Sequence, residues 1–587
     1  MRIRVEAPGA REVRLVVSGK ESRPLAPAGQ AWVGDVEEGA HYGLVVDDGE
    51  RTLVDPDATA VHFPADHDRD AARPERGPNH PIAPLAVAQP WPAARPGRRT
   101  TRPLVVSEVH VRGATKRRPG SAAGTFAGLI PELPRLAALG VSVIELLPVH
   151  QFDPDEGNYW GYMALVFGAV HQQYAFGDDA NGELGDLVAA AHEHDIEVWV
   201  DVVFNHTTEE DEHGPTYNLR ALADDRYYVH DRRGEYVDDA GCGNIIDTDS
   251  PLARDLIMRS LARFADLGVD GFRFDLATIL ARNPDFVVHI GDWADERGIR
   301  LVAEAWDMVR YHVGRAWPDQ RWMQWNGRYR DDMRGFLRGE GGLIPSVMQR
   351  VQGSPDLFDD PTRSVNFLTA HDGFTLYDLV AFDRKHNEAN GWGGTDGTDD
   401  NRSWNCGWEG DDGVSDQVMA LRRRQLRNAW ALLMLSHGTP MFVAGDEFAR
   451  TQGGNNNAYN QDNETSWIDW DRRDDWTGLE TFVQRMIAFR AAHPVLTRAQ
   501  WWANDVEWFG VSGGPDLAGH SRSIAWHLPG LYVMVNMWWE PLEFAVQATG
   551  PWRVFIDTSD ESGFVDEPVP AVGAVTVGPR SMVVLTA

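Results

Sequence analysis

At 587 residues the chain has room for three or four domains of about 150 residues, or for one large α/β barrel with smaller appendages. A hydrophobic content of 43% fits a globular protein with a sizeable core and excludes a mainly disordered chain. With 88 acidic against 55 basic residues the formal net charge is −33, a surface that repels phosphate backbones and anionic lipid heads, so neither nucleic acid nor a membrane is expected as a partner.

The first residues, Met1 to Glu6, carry no apolar core of a signal peptide, and no run of about 18 apolar residues follows anywhere, so a soluble cytoplasmic protein is expected. Residues 1–86 read as a small β-sandwich: Arg2–Val5 and Val13–Val17 alternate polar and apolar residues, and Trp32–Val36 and Tyr42–Val46 follow between Gly and Asp clusters. The stretch 87–103 is rich in Pro, Ala and Arg and reads as a linker. Across 104–495 short apolar runs alternate with helical stretches. Strands are expected at Leu104–Val109, Val141–Leu147, Glu197–Phe204, Val269–Asp275, Leu301–Glu304, Val365–Ala370 and Pro440–Val443, with another near Trp322–Trp325. Helices are expected at Glu183–His194, Leu252–Leu267, Asp416–Ser436 and Leu479–Ala492. About eight such units predict a (β/α)8 TIM barrel. Two connections, 148–181 and 205–250, are too long for plain βα loops. Residues 496–587 return to strand signals, at Val506–Val511, Ser523–His527, Leu531–Met537, Trp552–Ile556 and Val575–Leu585, and read as a C-terminal β-sandwich.

Carboxylates fall at the ends of the expected strands: Asp201 in Asp201-Val202-Val203-Phe204-Asn205-His206, Asp275 after Gly271-Phe272-Arg273-Phe274, Glu304 after Leu301-Val302-Ala303, and His371-Asp372 after Ala370. A parallel barrel delivers the C-terminal ends of its strands to one face, and positions i and i+2 of a strand share a side, so Arg273 and Asp275 both point inward. A metal site would call for tightly spaced histidines, as in HExxH, and a phosphate site for a Gly-rich loop with a Lys; neither stands at these strand ends. Paired-carboxylate chemistry remains, in which a retaining glycosidase needs an ionised nucleophile and a protonated acid about 5–5.5 Å apart. Arg273 is expected to hold Asp275 ionised while like charges crowd a proton onto Glu304. The 23 tryptophans suit the flat C–H faces of sugars, although ordinary core packing accounts for them equally well.

These four segments resemble the signature regions of glycoside hydrolase family 13, the α-amylase superfamily, over roughly residues 104 to 470. The resemblance implies Asp275 as nucleophile, Glu304 as general acid/base and Asp372 as the third carboxylate, gripping hydroxyls of the distorted sugar. It also implies that Asp201, His206, Arg273 and His371 line the subsite of that sugar. A narrower resemblance is to the debranching branch, the isoamylases and bacterial glycogen debranching enzymes. It rests on Asn158-Tyr159-Trp160-Gly161-Tyr162, Glu108 to Gly113, Gly241-Cys242-Gly243-Asn244, Trp325 to Asp331, His386 to Asn390, and Ala444-Gly445-Asp446-Glu447-Phe448 running on to Gly454 to Tyr459 and Gln461 to Glu464. It implies that Tyr162 stacks on the sugar at the cleavage point and that Trp306 lies on the leaving-group side; Trp160 is read as a further sugar contact. Met163 and Ala305 depart from the common pattern, and the N-terminal domain is short for the group, which leaves chain-length preference and glycogen affinity open.

The implied activity is hydrolysis of α-1,6 branch links in glycogen and related α-glucans with retention, the partner being an α-glucan polysaccharide or branched maltooligosaccharide. A 4-α-glucanotransferase or α-1,4-glucan hydrolase on the same fold is the competing reading. A non-catalytic glucan-binding subunit is the third, and would be expected to lack one of the three acids. Asn205 is similar to a calcium ligand of some α-amylases, but debranching enzymes commonly lack that site, so no cofactor and no required metal is expected. Cys242 and Cys406, the only cysteines, exclude a disulfide framework and read as inert thiols.

Overall fold

The computed structural model describes residues 1–79 and 81–587. Eight strands form a closed barrel in chain order: β1 (Val106–Val109), β2 (Val143–Leu146), β3 (Glu197–Val202), β4 (Gly271–Phe274), β5 (Arg300–Ala303), β6 (Met323–Trp325), β7 (Ser364–Phe367) and β8 (Thr439–Val443), with β8 returning to β1. All eight expected strand positions are occupied, including the sixth. Apart from Arg300, at the start of β5, every residue of these strands is buried. Burial on both faces is why they read as near-continuous apolar runs rather than as alternations.

The chain forms two compact units. The first holds Met1–Arg99, His110–Leu133 and Glu145–Trp322; the second holds Thr100–Val109, Pro134–Ile144 and Met323–Ala587. In the first, β4 pairs in parallel with β3, placing Arg273 beside Asp201, and with β5, placing Phe274 beside Ala303. Its helices start on strong signals. Asp179 caps Ala180–Glu193 through the Gly182 amide, and Asn283 caps Pro284–Arg297, which carries Pro at its first position and ends on left-handed Gly298. Ahead of the barrel lie two antiparallel sheets. One is three-stranded, from Arg2–Glu6, Ala31–Asp35 and Ala26–Ala28; the other is five-stranded around Val13–Val17 and His41–Val46. Their shared core, with Val5, Leu15 and Leu44, runs on into Leu165, Val166, Ala169, Tyr217 and Leu222 from the two long barrel loops. Residues 164–170 supply part of that core because the first long loop, expected as a plain connection over 148–181, folds its own ribbon, His150–Phe152 against Ala164–Val170.

In the second unit β7 pairs with β6 and β8, and β8 with β1, so that Val443 stands beside Glu108. Asn326 caps the helix Gly327–Arg338 through the Tyr329 amide, and Ser415 caps the twenty-residue helix Asp416–Leu435. The C-terminal region is a six-stranded antiparallel sheet with a two-stranded partner, Leu542–Ala545 against Ala574–Val577, over a core that includes Tyr532, Phe544, Trp552 and Val583. The run expected as one strand at Val575–Leu585 is two, Ala574–Val577 and Ser581–Thr586, divided at Gly578-Pro579-Arg580, where Arg580 turns left-handed with φ 50°. Phe564–Pro570, largely exposed and holding two prolines, was not expected as a strand; it lies at the sheet edge, the position that tolerates proline.

Candidate active site

In the first unit one guanidinium gathers three carboxylates. Arg273 Nη1 donates to Asp201 Oδ2 at 2.7 Å and to Asp275 Oδ1 at 3.0 Å, and Nη2 lies 2.9 Å from Glu304 Oε2. The cause is local. Arg273 sits inside β4, Asp275 comes two residues later on the same side, and β3 and β5 bring Asp201 and Glu304 up on either flank. The Arg273 side chain is 1% exposed, so burying its charge costs several kcal/mol unless it is paired, and here it is paired three times. Its neighbours hold it charged, well above the ordinary guanidinium range despite burial. Burial, reinforced by the charge of Asp275, pushes Asp201 up to about 6 against the pull of Arg273 and Tyr162.

Further contacts set the orientation of each acid. Asn205 Nδ2 donates to Asp275 Oδ2 at 2.9 Å and to the Asp275 carbonyl at 2.9 Å, so both carboxylate oxygens of Asp275 are held. The amide of Leu276 donates to Glu304 Oε2 at 2.9 Å. Leu276 has φ 39°, a left-handed conformation that a leucine avoids, and this strained turn aims its N–H across to β5. His206 Nδ1 bonds Asn205 Oδ1, and burial lowers its basicity, keeping the ring neutral near pH 7. Tyr162 donates its O–H to Asp201 Oδ2 at 2.6 Å. It follows a tight turn in which Asn158 Oδ1 accepts from the Gly161 amide at 3.0 Å; Gly161 has φ 88°, and a Cβ there would meet the Pro148 carbonyl at 3.0 Å. Trp160 is 9% exposed and stands edge-on to Tyr162, so it is a core residue rather than an open sugar contact. Trp306 is half-buried, parallel to Tyr311 at 5.9 Å, in a short loop closed by a bridge between the two.

The second unit carries the end of β7. His371 Nδ1 is 2.7 Å from Oε1 of Glu108, a fully buried residue at the end of β1. Asp372 is exposed and lines a polar cavity of about 400 Å³ with Arg330, Asp331, Arg334, Thr398 and Asn456. The Gly373 amide donates to the Asn456 carbonyl at 2.9 Å. The segment Gly454-Asn455-Asn456-Asn457 is therefore a strut. Asn456 Nδ2 donates to Thr398 O and Asn401 Oδ1 at 2.8 Å each, Asn387 donates to Asn456 Oδ1 at 2.8 Å, and Asn455 donates to Asn390 at 2.7 Å. Beneath it Asp446 accepts from Thr369 Oγ1 at 2.6 Å and from the Leu376 amide at 3.0 Å, and burial pushes it up to about 7. Of the sequence candidates, the first unit thus brings together Tyr162, Asp201, Arg273, Asp275 and Glu304, with His206 joined through Asn205 and Trp306 two residues past Glu304. The second places His371 and Asp372 side by side in sequence on one strand end.

Among the described residues one group has its ligand atoms close enough for a metal: His67, Asp153 and Asp155. His67 Nε2 is already bonded to Asp153 Oδ1 at 3.0 Å, and the guanidinium of Arg69, 3.6 Å from Asp153 Oδ2, occupies the neighbourhood with a competing positive charge. No described helix is long and apolar enough to cross a membrane.

The chain as a whole is similar to proteins of known family. The family model "Alpha amylase, catalytic domain" matches residues 112–240. The "Glycogen operon protein GlgX homolog" of Mycobacterium tuberculosis is 38% identical over 562 residues, covering 84% of this chain and 77% of that protein. The chain therefore belongs to the α-amylase family of glycoside hydrolases. The "Glycogen debranching enzyme" of Dickeya chrysanthemi is 37% identical over 557 residues, covering 86% of this chain and 83% of its own length. Within the family, the chain's group is that of the bacterial glycogen debranching enzymes. The type I pullulanase of Bacillus subtilis, solved with maltose, superposes with a TM-score of 0.79 over all of this chain and 83% of its own; at 23% identity that likeness is one of fold.

Proposed function

We propose that this protein hydrolyses α-1,6-glucosidic branch links in glycogen and related α-glucans by double displacement with retention. The observation that carries the reading is the Arg273 cluster, in which two slightly exposed acids, Asp275 and Glu304, share one buried cation on adjacent strand ends. In the first step an Asp275 oxygen bonds to C1 of the branch sugar as the C1–O6 bond breaks, and the Glu304 proton passes to the departing O6. In the second, Glu304 takes a proton from water, the water oxygen bonds to C1, and the Asp275 ester breaks, restoring both groups. The relatives' names support the α-1,6 link as the substrate bond, and the sharing of Arg273 by Asp275 and Glu304 supports a nucleophile and an acid/base working at one centre. Asp372 grips hydroxyls of the distorted sugar. The family resemblance supports sugar-binding roles for Tyr162, Asp201, His206 and Arg273 and, separately, for His371, which Glu108 holds, with Trp306 meeting the leaving chain. The cytoplasm, where glycogen is stored, is the location that fits this substrate.

Incubation with glycogen and with pullulan, followed by sizing of the released chains, tests the reading. Linear maltooligosaccharides freed from glycogen without shortening of the main chains support it; disproportionated chains point to a glucanotransferase, and progressive shortening to an α-1,4 hydrolase.

Asp372→Asn is expected to lower turnover by about 10³-fold with a much smaller change in glucan affinity, because a contact made mainly to the distorted sugar acts on the transition state. Steady-state kinetics check this, and an equal loss of ground-state binding would contradict the role.

Activity is expected to survive exhaustive chelation, since the steps above use only carboxylate and guanidinium groups. Loss of activity on chelation, restored by added calcium, would overturn that expectation.

A further inference from the structure

Trp392 is exposed to 62%, yet it is not loose. Its indole N–H, the only donor it has, is spent on the Tyr459 hydroxyl at 2.7 Å, which pins one edge of the ring and leaves its apolar face to solvent. The backbone beneath it is stitched down as well. Asn390 Nδ2 donates to the Asn457 carbonyl at 2.9 Å, Asn460 Nδ2 to the Asn390 carbonyl at 2.9 Å, and Gln461 Nε2 to the Ala389 carbonyl at 3.1 Å. Left-handed Gly391, with φ 89°, then turns the chain into Trp392.

Asn457 is itself part of the wall of the cavity that holds Asp372. Trp392 thus stands two residues from a side chain bonded directly to that wall. A large apolar face held open on a fixed support is a ready surface for an apolar ligand face. The surroundings select the ligand. The acids of the adjoining segment are already engaged, Asp399 by Lys385 at 2.9 Å and Asp396 by the amides of Asn390 and Asn457, and the cavity wall balances Arg330, Arg334 and Arg402 against Asp331, Asp372 and Asp400, so its charges select neither sign of ligand and its many donors and acceptors suit the hydroxyls of a neutral one.

We propose that Trp392, braced by Tyr459, is a stacking platform for an outer glucose residue of the bound branch chain and sets the enzyme's preference for branch length. This rests on the debranching reading above and deepens it. The sugar gripped at Asp372 belongs to the branch, so a platform continuing from that cavity meets residues farther along the same branch and is out of reach of very short ones.

Two measurements test it together. Wild type, Trp392→Ala and Trp392→Phe are compared on α-1,6-branched oligosaccharides with branches of two, four and seven glucose units. Binding of linear maltoheptaose and of maltose is measured by calorimetry on the same proteins. The expected result for Trp392→Ala is a loss in kcat/KM that grows with branch length, to about tenfold at seven units, carried by KM, with partial recovery in Trp392→Phe. Maltoheptaose binding weakens by a similar factor and maltose binding by less. A loss equal at all lengths, no loss at any length, or unchanged maltoheptaose binding would overturn the platform. The calorimetry stands even if wild type cleaves none of the branched substrates, an outcome that would refute the debranching reading alone.

Discussion

Glu304→Gln is expected to leave almost no activity on glycogen while still accepting a sugar from an activated donor. A branch sugar departs through a primary 6-hydroxyl, whose alkoxide is a poor leaving group, so the first step depends on the Glu304 proton. Fluoride needs no such help. With α-maltosyl fluoride the variant is expected to form a maltosyl ester on Asp275 and release fluoride. The ester then persists, because the base that would activate water is also missing. The local structure favours a clean result. A single oxygen, Oε2, receives both Arg273 Nη2 and the Leu276 amide, so a glutamine whose oxygen takes that place keeps both bonds. Mass spectrometry of the quenched protein, with peptide mapping, reads the adduct. Near wild-type cleavage of glycogen would remove Glu304 from the acid/base role, and an adduct on another carboxylate would remove Asp275 as nucleophile.

Asp275→Asn is expected to lower turnover by about 10⁴-fold or more on every substrate, activated fluorides included, because the lost step is covalent attack itself. The contrast between the two variants on the fluoride is therefore the sharper test: one traps the intermediate and the other never forms it. Folding should be little disturbed. Arg273 keeps Asp201 and Glu304 as partners, and the asparagine side chain meets one mismatched donor among the two, Arg273 and Asn205, that now hold Asp275, a cost of about 1–3 kcal/mol. Glucan binding measured by calorimetry should persist. A variant retaining a tenth of wild-type activity would falsify the assignment.

The strand ends were legible because buried parallel strands are short apolar runs, and an acid closing such a run, as in Phe272-Arg273-Phe274-Asp275, breaks the pattern where the chain leaves the core. The partners of those acids were not legible. Asn205 reaches Asp275 across 70 residues and Glu108 reaches His371 across 263, and no local period encodes either pairing. Glu108 did leave a trace, as a charged residue in a strand whose four residues are all buried. The left-handed turn at Leu276 left none, since nothing in a leucine announces positive φ. Residues 164–170 were missed for a different reason: a seven-residue apolar run within a long loop reads equally as a buried strand or as packing filler. The division of Val575–Leu585 was signalled by Gly578-Pro579, which interrupts any continuous strand.

The continuity of the N-terminal core with Leu165, Val166, Tyr217 and Leu222 has a consequence for synthesis. The amino-terminal sheets leave the ribosome first, yet the last side chain that seals them emerges only about 130 residues after their final strand, Leu85–Val87. At typical elongation rates that interval is on the order of ten seconds, during which the inner faces of Val5, Leu15 and Leu44 lack part of their cover. A nascent chain stalled anywhere between those points would present a half-closed sandwich, a species suited to chaperone capture. Cutting the chain just after Ala88, past that final strand, would recreate that species permanently, and the severed remainder would carry the complementary bare patch.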